Sequence, residues 1–307
     1  MTHDTHSHHH THSTATLDFG KAFFIGILLN TIFIVAEIIY GIHADSLALL
    51  ADAGHNASDV LGLFMAWGAV ILAKRLPSER YTYGLQSSSI IAALGNAILL
   101  LVACGGIGWE AIQRFSHPTQ VASTTVMAVA GLGIAVNGFT AWLFMAGRKN
   151  DLNIRGAFLH MAADAGVSLG VVIASAIMLK TQWLWLDPLV SLGISVIIIF
   201  GTWELLRDSL NLALHATPKS INTQKVKAYL SELVGVSEVH DLHIWAMSTT
   251  NVALSVHLLM PCGHPGDTFI KTMTHDLEHH FNIAHSTIQI EVGDGQVECR
   301  FAPEQVV

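Results

Sequence analysis

Long apolar stretches separated by short polar segments fill the first two thirds of the chain. Six of them stand out, at residues 22–42, 46–73, 88–113, 121–146, 154–179 and 184–206. Each is long enough for a helix to cross the hydrocarbon core of a bilayer, which takes about 20 residues. Because the connections are short, neighbouring helices are expected to be antiparallel. The pattern predicts an α-helical membrane protein with six transmembrane helices.

A different pattern begins after Pro218, where shorter segments with one apolar face replace the long apolar stretches. Helical spacing and strand-like alternation follow in the order α-β-β-α-β, at residues 219–233, 236–247, 252–260, 266–282 and 284–292. This order predicts a small α+β domain of ferredoxin-like or metallochaperone-like type, with two helices covering a three-stranded sheet. A domain with so small a core favours pairing with a second copy.

Both ends of the chain lie outside these two regions. Residues 1–16 have no hydrophobic periodicity and carry histidines among Thr and Ser, at positions His3, His6, His8, His9, His10 and His12. Such a composition is typical of a disordered tail, which either collects metal ions weakly or has no function. The chain therefore divides into this tail, a transmembrane domain at 17–212, a second domain at 213–295 and a C-terminal tail at 296–307.

Basic residues indicate the side of the membrane on which each loop lies. The loops after the second and fourth apolar stretches carry most of them, namely Lys74, Arg75, Arg80, Arg148, Lys149 and Arg155. The loops on the opposite side contribute only Arg114 and Lys180. Because cytoplasmic loops are enriched in Lys and Arg, both termini and the C-terminal domain are expected in the cytoplasm.

Composition agrees with a membrane protein and excludes several other classes. Of the 307 residues 51% are hydrophobic and only 12% are charged, compared with about 25% charged residues in soluble domains. The net charge of −8 and the lack of a basic cluster argue against nucleic-acid binding. The three cysteines form no C-x-x-C pair, which argues against a disulfide scaffold and a thiolate zinc site. No stretch resembles a cleaved signal peptide.

Two His/Asp pairs lie inside apolar stretches with the same spacing of four residues, His55 with Asp59 and His160 with Asp164. Positions i and i+4 lie on one face of a helix, so each pair offers an imidazole and a carboxylate in one direction. If the two helices face each other, two nitrogens and two oxygens converge into a tetrahedral set that suits zinc. The spacing therefore predicts a metal site inside the membrane.

The expected depth of the four side chains agrees with one shared site. At about 1.5 Å per residue, His55 and Asp59 lie about 13 and 20 Å from the outer side, and His160 and Asp164 about 10 and 16 Å from the inner side. Two carboxylates at this depth cost roughly 5–7 kcal/mol, which a bound metal ion can offset. The alternative is that each His only hydrogen-bonds to its neighbouring Asp or to facing backbone.

Two other acidic residues in the apolar stretches have open roles. Asp52 lies one turn before His55, where it either orients that imidazole, lines a water-filled vestibule or binds the metal itself. Glu37 in the first stretch either lines a cavity as a carboxylate or packs in its protonated form.

Several motifs resemble those of the cation diffusion facilitator family of zinc exporters: A-D-A-G-H-N-A-S-D (51–59), R-Y-T-Y-G-L-Q (80–86), H-M-A-A-D (160–164), V-H-D-L-H-I-W (239–245) and T-I-Q-I-E (287–291). The resemblance covers residues 20–295, nearly the whole chain except the His-rich tail. It implies a homodimer that exchanges metal ions for protons by alternating access. It also implies that the transport site consists of His55, Asp59, His160 and Asp164, a set that goes with zinc and sometimes cadmium.

The resemblance further implies a regulatory metal site in the cytoplasmic domain, formed by His240, His257 and Glu291. On regular strands, His240 shares a face with Leu242 and His243 points to the opposite face. The alternative is that these are three exposed polar residues on one face of the sheet.

The sequence thus predicts a divalent cation exporter and not an enzyme. The specific expectation is a Zn²⁺/H⁺ antiporter in the inner (plasma) membrane, with zinc as substrate and as a possible regulatory ion. The short loop after the fourth stretch and the single cysteine near the C-terminus depart from vertebrate members and favour a bacterial protein. One alternative is the same carrier with Cd²⁺, Co²⁺, Ni²⁺ or Fe²⁺ as main substrate. A second alternative is a membrane metal sensor. A third is an intramembrane metalloenzyme, against which the absence of an H-E-x-x-H motif argues.

Overall fold

The computed structural model describes residues 19–73, 75–145, 152–293 and Cys299. The predicted His-rich tail at 1–16 lies outside the described residues, as does the predicted tail at 296–307 except for Cys299.

Long helices account for all the apolar stretches: α1 (Phe19–His43), α2 (Leu47–Ala73), α3 (Ser88–Ser116), α4 (Ser123–Phe144), α5 (Leu152–Thr181) and α6 (Leu186–Ala213). Five described segments are long and apolar enough to cross a membrane, namely Ile25–His43, Ser88–Ser116, Ser123–Phe144, Phe158–Thr181 and Leu186–Ala213. In α2, several side chains after Gly62 lie outside the described set. The helical membrane domain is confirmed, and a sixth span at α2 stays a prediction.

The described chain divides into two compact units. One unit consists of residues up to Ala57 together with Ile107–Ile194, and the other of Ser58–Gly106 together with the chain from Ser195 onward. α2, α3 and α6 each contribute residues to both units. Each unit is described separately below.

In the first unit, α4 packs along α1 and α5. Gly133 on α4 permits this close approach, because a Cβ at that position would lie 2.6 Å from Phe33 Cζ on α1 and 2.9 Å from Ser168 Oγ on α5. A side chain larger than hydrogen would therefore push apart three helices. Ser168 follows Asp164 by one helical turn, so this contact lies beside a predicted ligand.

A buried carboxylate fixes the start of α2. Asp187, which is 1% exposed, accepts hydrogen bonds from Ser46 Oγ at 2.6 Å and from Leu47 N at 2.9 Å. The first N–H groups of a helix have no partner within the helix, and a negative charge there is favourable. Ser191 Oγ on α6 also donates to Leu47 O at 3.3 Å. These contacts set the register of α2 and hence the level of His55.

The second unit contains the predicted α-β-β-α-β sequence of elements: α7 (Thr223–Ser231), β1 (Glu238–Ala246), β2 (Val252–Leu259), α8 (Asp267–Phe281) and β3 (His285–Glu291). The sheet order is β1-β2-β3, with β1 and β2 antiparallel and β2 and β3 parallel across α8. α7 begins later than predicted, because the Asn222 side chain accepts a hydrogen bond from Lys225 N and caps the helix there. The predicted α-β-β-α-β fold of the C-terminal domain is confirmed.

The core of this domain lies between one face of the sheet and the two helices. Its fully buried members include Val226 and Leu230 on α7, Leu254 and Leu258 on β2 and Leu277 on α8, each 0% exposed. Alternate residues of β2 fill the core, so the residues between them, including His257, project from the opposite face. Polar side chains can meet on this second face, which is called the free face below because it points away from α7 and α8.

A β-bulge interrupts β1 between His240 and His243. Asp241 and Leu242 together take the place of one residue, and Asp241 has a φ of 50°. Because the partners of His240 and His243 on β2 are two residues apart, both histidines project from the same face, and Leu242 packs against the core. The prediction that His243 lies opposite His240, with Leu242 beside His240, is wrong, since it assumed regular alternation.

The loop before α3 contacts the turn between β1 and β2. Ser87 Oγ donates to Met247 O at 3.1 Å, and Thr249 N donates to Ser89 Oγ at 3.1 Å. The ring of Tyr83 also meets a histidine at the start of β3, edge to face. The loop that follows α2 therefore lies on the same side as the C-terminal domain, as the distribution of basic residues predicts.

Candidate metal centres

Three of the four predicted intramembrane ligands meet in the first unit, His55 on α2 and His160 and Asp164 on α5. The Asp164 carboxylate faces both imidazoles, with Oδ1 at 3.6 Å from His55 Nε2 and Oδ2 at 3.6 Å from His160 Nε2. The two rings lie edge to face with centroids 5.8 Å apart. α2 thus presents His55 to His160 and Asp164 on α5.

The spacing around Asp164 suits an ion better than direct hydrogen bonds. An N–H···O hydrogen bond has a heavy-atom distance of about 2.7–3.2 Å, whereas two N or O ligands of a tetrahedral zinc ion lie roughly 3.3 Å apart. Asp164 is 2% exposed, and its Oδ2 has no hydrogen-bond donor among the described residues. A buried carboxylate oxygen without a donor is costly, so this geometry favours a bound cation or proton.

Two further buried acidic residues lie in the same unit. Glu37 on α1 is 0% exposed and accepts from Asn56 Nδ2 at 3.4 Å. Asp52 on α2 is 1% exposed and accepts from Ser168 Oγ at 3.2 Å. Because Ser168 follows Asp164 by one turn, the second bond joins α2 to α5 beside the candidate ligands. Three buried acidic side chains in one region favour a divalent cation over any anionic substrate.

Asp59, the fourth predicted ligand, follows His55 by one turn on α2 and is partly buried. It belongs to the second unit, because the division between the units falls after Ala57. α2 is a continuous helix from Leu47 to Ala73, so Asp59 lies on the same helical face as His55.

The three residues predicted for the cytoplasmic site meet on the free face of the sheet. His240 Nε2 lies 3.3 Å from Glu291 Oε2, and His257 Nδ1 lies 2.9 Å from Glu291 Oε1. The two imidazole rings stand 5.4 Å apart, edge to face. His240 is 7% exposed. The strand register explains the cluster, because His240 pairs with His257 across β1 and β2, and Glu291 ends β3 beside them.

Asp241 supports this cluster from the bulge, a role that the sequence did not indicate. Its Oδ2 lies 3.3 Å from His257 Nε2, and its Oδ1 lies 2.8 Å from His243 Nε2. The positive φ of Asp241 aims the carboxylate at the ring nitrogen that faces away from Glu291. Metal-binding histidines commonly donate their second N–H to a carboxylate in this way, which fixes the ring.

Glu291 is held in its charged form. Burial raises its pKa, but hydrogen bonds from Cys299 and Gln289 and the charges of His240 and His257 outweigh burial, so the pKa is lowered from its ordinary value. A carboxylate that is already ionised needs to lose no proton before it binds a metal ion.

Cys299 joins the same cluster, which the spacing of cysteines in the sequence did not indicate. Its Sγ lies 3.5 Å from His257 Nδ1. Potential ligand atoms of His240, His257, Glu291 and Cys299 all lie within 4.8 Å of one another. The prediction against a thiolate zinc site rested on the absence of C-x-x-C pairs. Here a single thiol meets side chains that come from other parts of the sequence.

Two sequence profiles match the chain over almost all of the described region. The profile of the cation efflux transmembrane domain matches residues 23–212, and that of the cation efflux protein cytoplasmic domain matches residues 218–292. Together they include every predicted ligand in the membrane and in the sheet.

Several curated bacterial proteins are similar to the chain over most of its length. A zinc transporter ZitB of Escherichia coli is 35% identical over 289 residues, which cover 93% of this chain and 92% of that protein. A cadmium, cobalt and zinc/H(+)-K(+) antiporter of Bacillus subtilis is 34% identical over 276 residues, 88% of each chain. The metal cation efflux system protein CzcD of Cupriavidus metallidurans is 32% identical over 288 residues, covering 94% of this chain and 90% of that protein.

Proposed function

Because the chain belongs to the cation diffusion facilitator, or cation efflux, family, we propose that it is a Zn²⁺/H⁺ antiporter that moves zinc out of the cytoplasm. Family membership makes it a multi-pass membrane transporter for divalent metal cations and not an enzyme, with its C-terminal domain in the cytoplasm. The specific substrate, the counter-ion and the ligands are the subject of the proposal.

The observation that carries the proposal is the position of Asp164 between two imidazoles. One buried carboxylate faces His55 Nε2 and His160 Nε2 at 3.6 Å each. With Asp59 from the next turn of α2 as fourth ligand, two nitrogens and two oxygens form a tetrahedral set, the arrangement that zinc prefers. Relatives are named as zinc, cadmium and cobalt transporters, so imidazole and carboxylate ligands here also accept those ions.

Proton coupling follows from the same ligands. Imidazoles and carboxylates must lose their protons to bind a metal ion, so zinc and protons compete for His55, Asp59, His160 and Asp164. Zinc loads from the cytoplasm, and the helices then open the site to the outside. Protons displace the ion there and return inward with the empty carrier. The B. subtilis relative is named a zinc/H(+)-K(+) antiporter, which agrees with this exchange.

The cytoplasmic domain supplies pairing and regulation in this proposal. Two copies of the chain pair through it, and His240, His257 and Glu291 bind a regulatory zinc ion on the free face of the sheet. Their mutual distances support the assignment. The transporter is placed in the inner (plasma) membrane of a bacterium, because its relatives of similar length are bacterial proteins.

The test of exchange is zinc uptake by the intact protein in proteoliposomes. Vesicles with a lumen more acidic than the medium are expected to take up Zn²⁺ faster than vesicles without a gradient, and alkalinisation of the lumen should accompany uptake. A protonophore that collapses the gradient serves as the control and should remove the acceleration. Uptake at the same rate with and without the gradient would overturn proton exchange while leaving metal transport intact.

Replacement of Asp241 by Asn is expected to weaken zinc binding at the cytoplasmic site by about 10- to 100-fold. Asparagine tolerates the same left-handed backbone conformation, so the bulge remains while the charge that orients His257 is lost. Competition of the full-length variant with a zinc-sensitive dye measures the affinity. Asp267→Asn, at an exposed position on α8, is the matched control and should bind zinc as the intact protein does. Equal affinity in Asp241→Asn and Asp267→Asn would contradict a positioning role for Asp241.

A further inference from the structure

We propose that the cytoplasmic metal site has a fourth ligand, the thiolate of Cys299, which closes the site as a four-coordinate His₂-Glu-Cys centre. The inference rests on the proposed site at His240, His257 and Glu291 and changes its chemistry. A three-ligand set of nitrogen and oxygen leaves a coordination position open, whereas a fourth protein ligand gives the closed geometry of structural zinc sites. A thiolate also shifts the preference of the site toward soft ions such as Zn²⁺ and Cd²⁺.

Two separations in the cluster match those of ligands that share an ion, while His257 Nδ1 and Glu291 Oε1 lie within direct hydrogen-bond distance at 2.9 Å. Tetrahedral zinc, with Zn–S of about 2.3 Å and Zn–N of about 2.0–2.1 Å, separates a sulfur ligand from a nitrogen ligand by roughly 3.5 Å. Cys299 Sγ lies 3.5 Å from His257 Nδ1. The corresponding separation of nitrogen and oxygen ligands is roughly 3.3 Å, and His240 Nε2 lies 3.3 Å from Glu291 Oε2.

His240 provides independent evidence that a ligand belongs here. It is 7% exposed, and neither ring nitrogen has a hydrogen bond of acceptable geometry among the described residues. Its Nε2 points to Glu291 and therefore into the cluster that contains Cys299. Burial of an imidazole without a hydrogen bond costs free energy, which coordination of a metal ion by Nε2 would offset.

The ring nitrogen of His257 that faces away from Glu291 also has a carboxylate partner. When Nδ1 faces the ion, Nε2 faces Asp241 Oδ2 at 3.3 Å. The bulge in β1, which precedes His257 in the sequence, therefore supplies the carboxylate that fixes the imidazole. Cys299 follows His257 in the sequence. A metal ion bound to both Glu291 and Cys299 would join Cys299 to the sheet.

The compartment permits this chemistry. Cytoplasmic thiols are kept reduced, and none of the three cysteines, all of them described residues, forms a disulfide. A metal ion lowers the pKa of a coordinating thiol enough to deprotonate it. Cys262, in an exposed turn before α8, offers a matched thiol in the same domain and outside the cluster.

Cobalt binding to the full-length protein in detergent provides the first test, because only a thiolate ligand gives an intense sulfur-to-cobalt charge-transfer band in the near ultraviolet. The intact protein and Cys262→Ser are expected to develop this band on titration with Co²⁺, and Cys299→Ser is expected to lose it. The transmembrane ligands include no sulfur and contribute no such band. A band of equal intensity in Cys299→Ser, or no band in the intact protein, would overturn the proposal.

Alkylation of Cys299 by a maleimide provides a second test that does not require a variant of the ligand itself. In the Cys262→Ser protein, free Zn²⁺ at 100 times the dissociation constant should slow the modification of Cys299 about 100-fold, and Glu291→Gln should reduce this protection. Alkylation at the same rate with and without Zn²⁺ would overturn the fourth ligand. If His257→Ala still weakens zinc binding in that case, the three-ligand site stands, and zinc flux in proteoliposomes tests the antiporter separately.

Discussion

Replacement of Asp164 by Asn is expected to abolish zinc transport, with a fall in zinc flux of about 100-fold or more in proteoliposomes. The amide keeps the volume of the carboxylate but lacks its charge and one of its acceptor oxygens. In the folded protein this carboxylate faces His55 Nε2 and His160 Nε2 at once, so one substitution removes the anionic partner of both imidazoles. Asp59→Asn is expected to have a similar effect, because it removes the second carboxylate of the set.

Asp52→Asn is the matched control for this experiment. Asp52 is as buried as Asp164, at 1% against 2% exposure, and it lies on α2 one turn before His55. In the proposal it positions α2 against α5 through Ser168 and does not bind the ion, so its variant should retain measurable flux. If the Asp52→Asn variant lost transport and the Asp164→Asn variant kept it, the ion would bind one turn away from the proposed site. Correct insertion of each variant is checked by its elution as a single species in detergent.

The membrane helices, and the approach of His55 to His160 and Asp164, could be predicted because both follow from helical periodicity. A run of about 20 apolar residues specifies a helix, and a His and an Asp four residues apart on it must share a face. The structure adds what periodicity does not contain, such as the hydrogen bond between Ser168 and Asp52. That contact depends on how far one helix is rotated and shifted against another, which is decided by packing details such as the fit of Gly133 against Phe33.

The cytoplasmic site was only partly predictable, for two separate physical reasons. The family resemblance grouped His240, His257 and Glu291 into one site. Regular alternation placed Leu242 beside His240 and His243 on the opposite face, because no glycine or proline signals the bulge at Asp241. Cys299 lies 42 residues from His257 in the sequence. Cys299 lies beyond the predicted strand at 284–292, so no periodic pattern relates the two side chains.

Replacement of Leu254 by Ala is expected to lower the free energy of unfolding of the cytoplasmic domain by about 2–5 kcal/mol. Leu254 is 0% exposed on the central strand β2, within the core formed with α7 and α8. A small domain has few other core residues to compensate for the cavity, and its total stability is only about 5–15 kcal/mol. Amide hydrogen exchange of β2 in the full-length protein measures the change, and a loss of this size accelerates exchange by about 30-fold to several thousand-fold.

Val234→Ala is the matched control, because it removes the same kind of apolar atoms from a side chain that is 88% exposed and should change stability by less than about 0.5 kcal/mol.

Zinc binding is expected to change the stability of the same domain. Since the proposed site at His240, His257 and Glu291 exists only when the sheet is formed, Zn²⁺ at 100 times its dissociation constant should restore about 2.7 kcal/mol to Leu254→Ala. Unchanged exchange in Leu254→Ala without zinc would contradict the central place of β2 in the core. Faster exchange that zinc fails to slow would instead separate the stability of the sheet from metal binding on its free face.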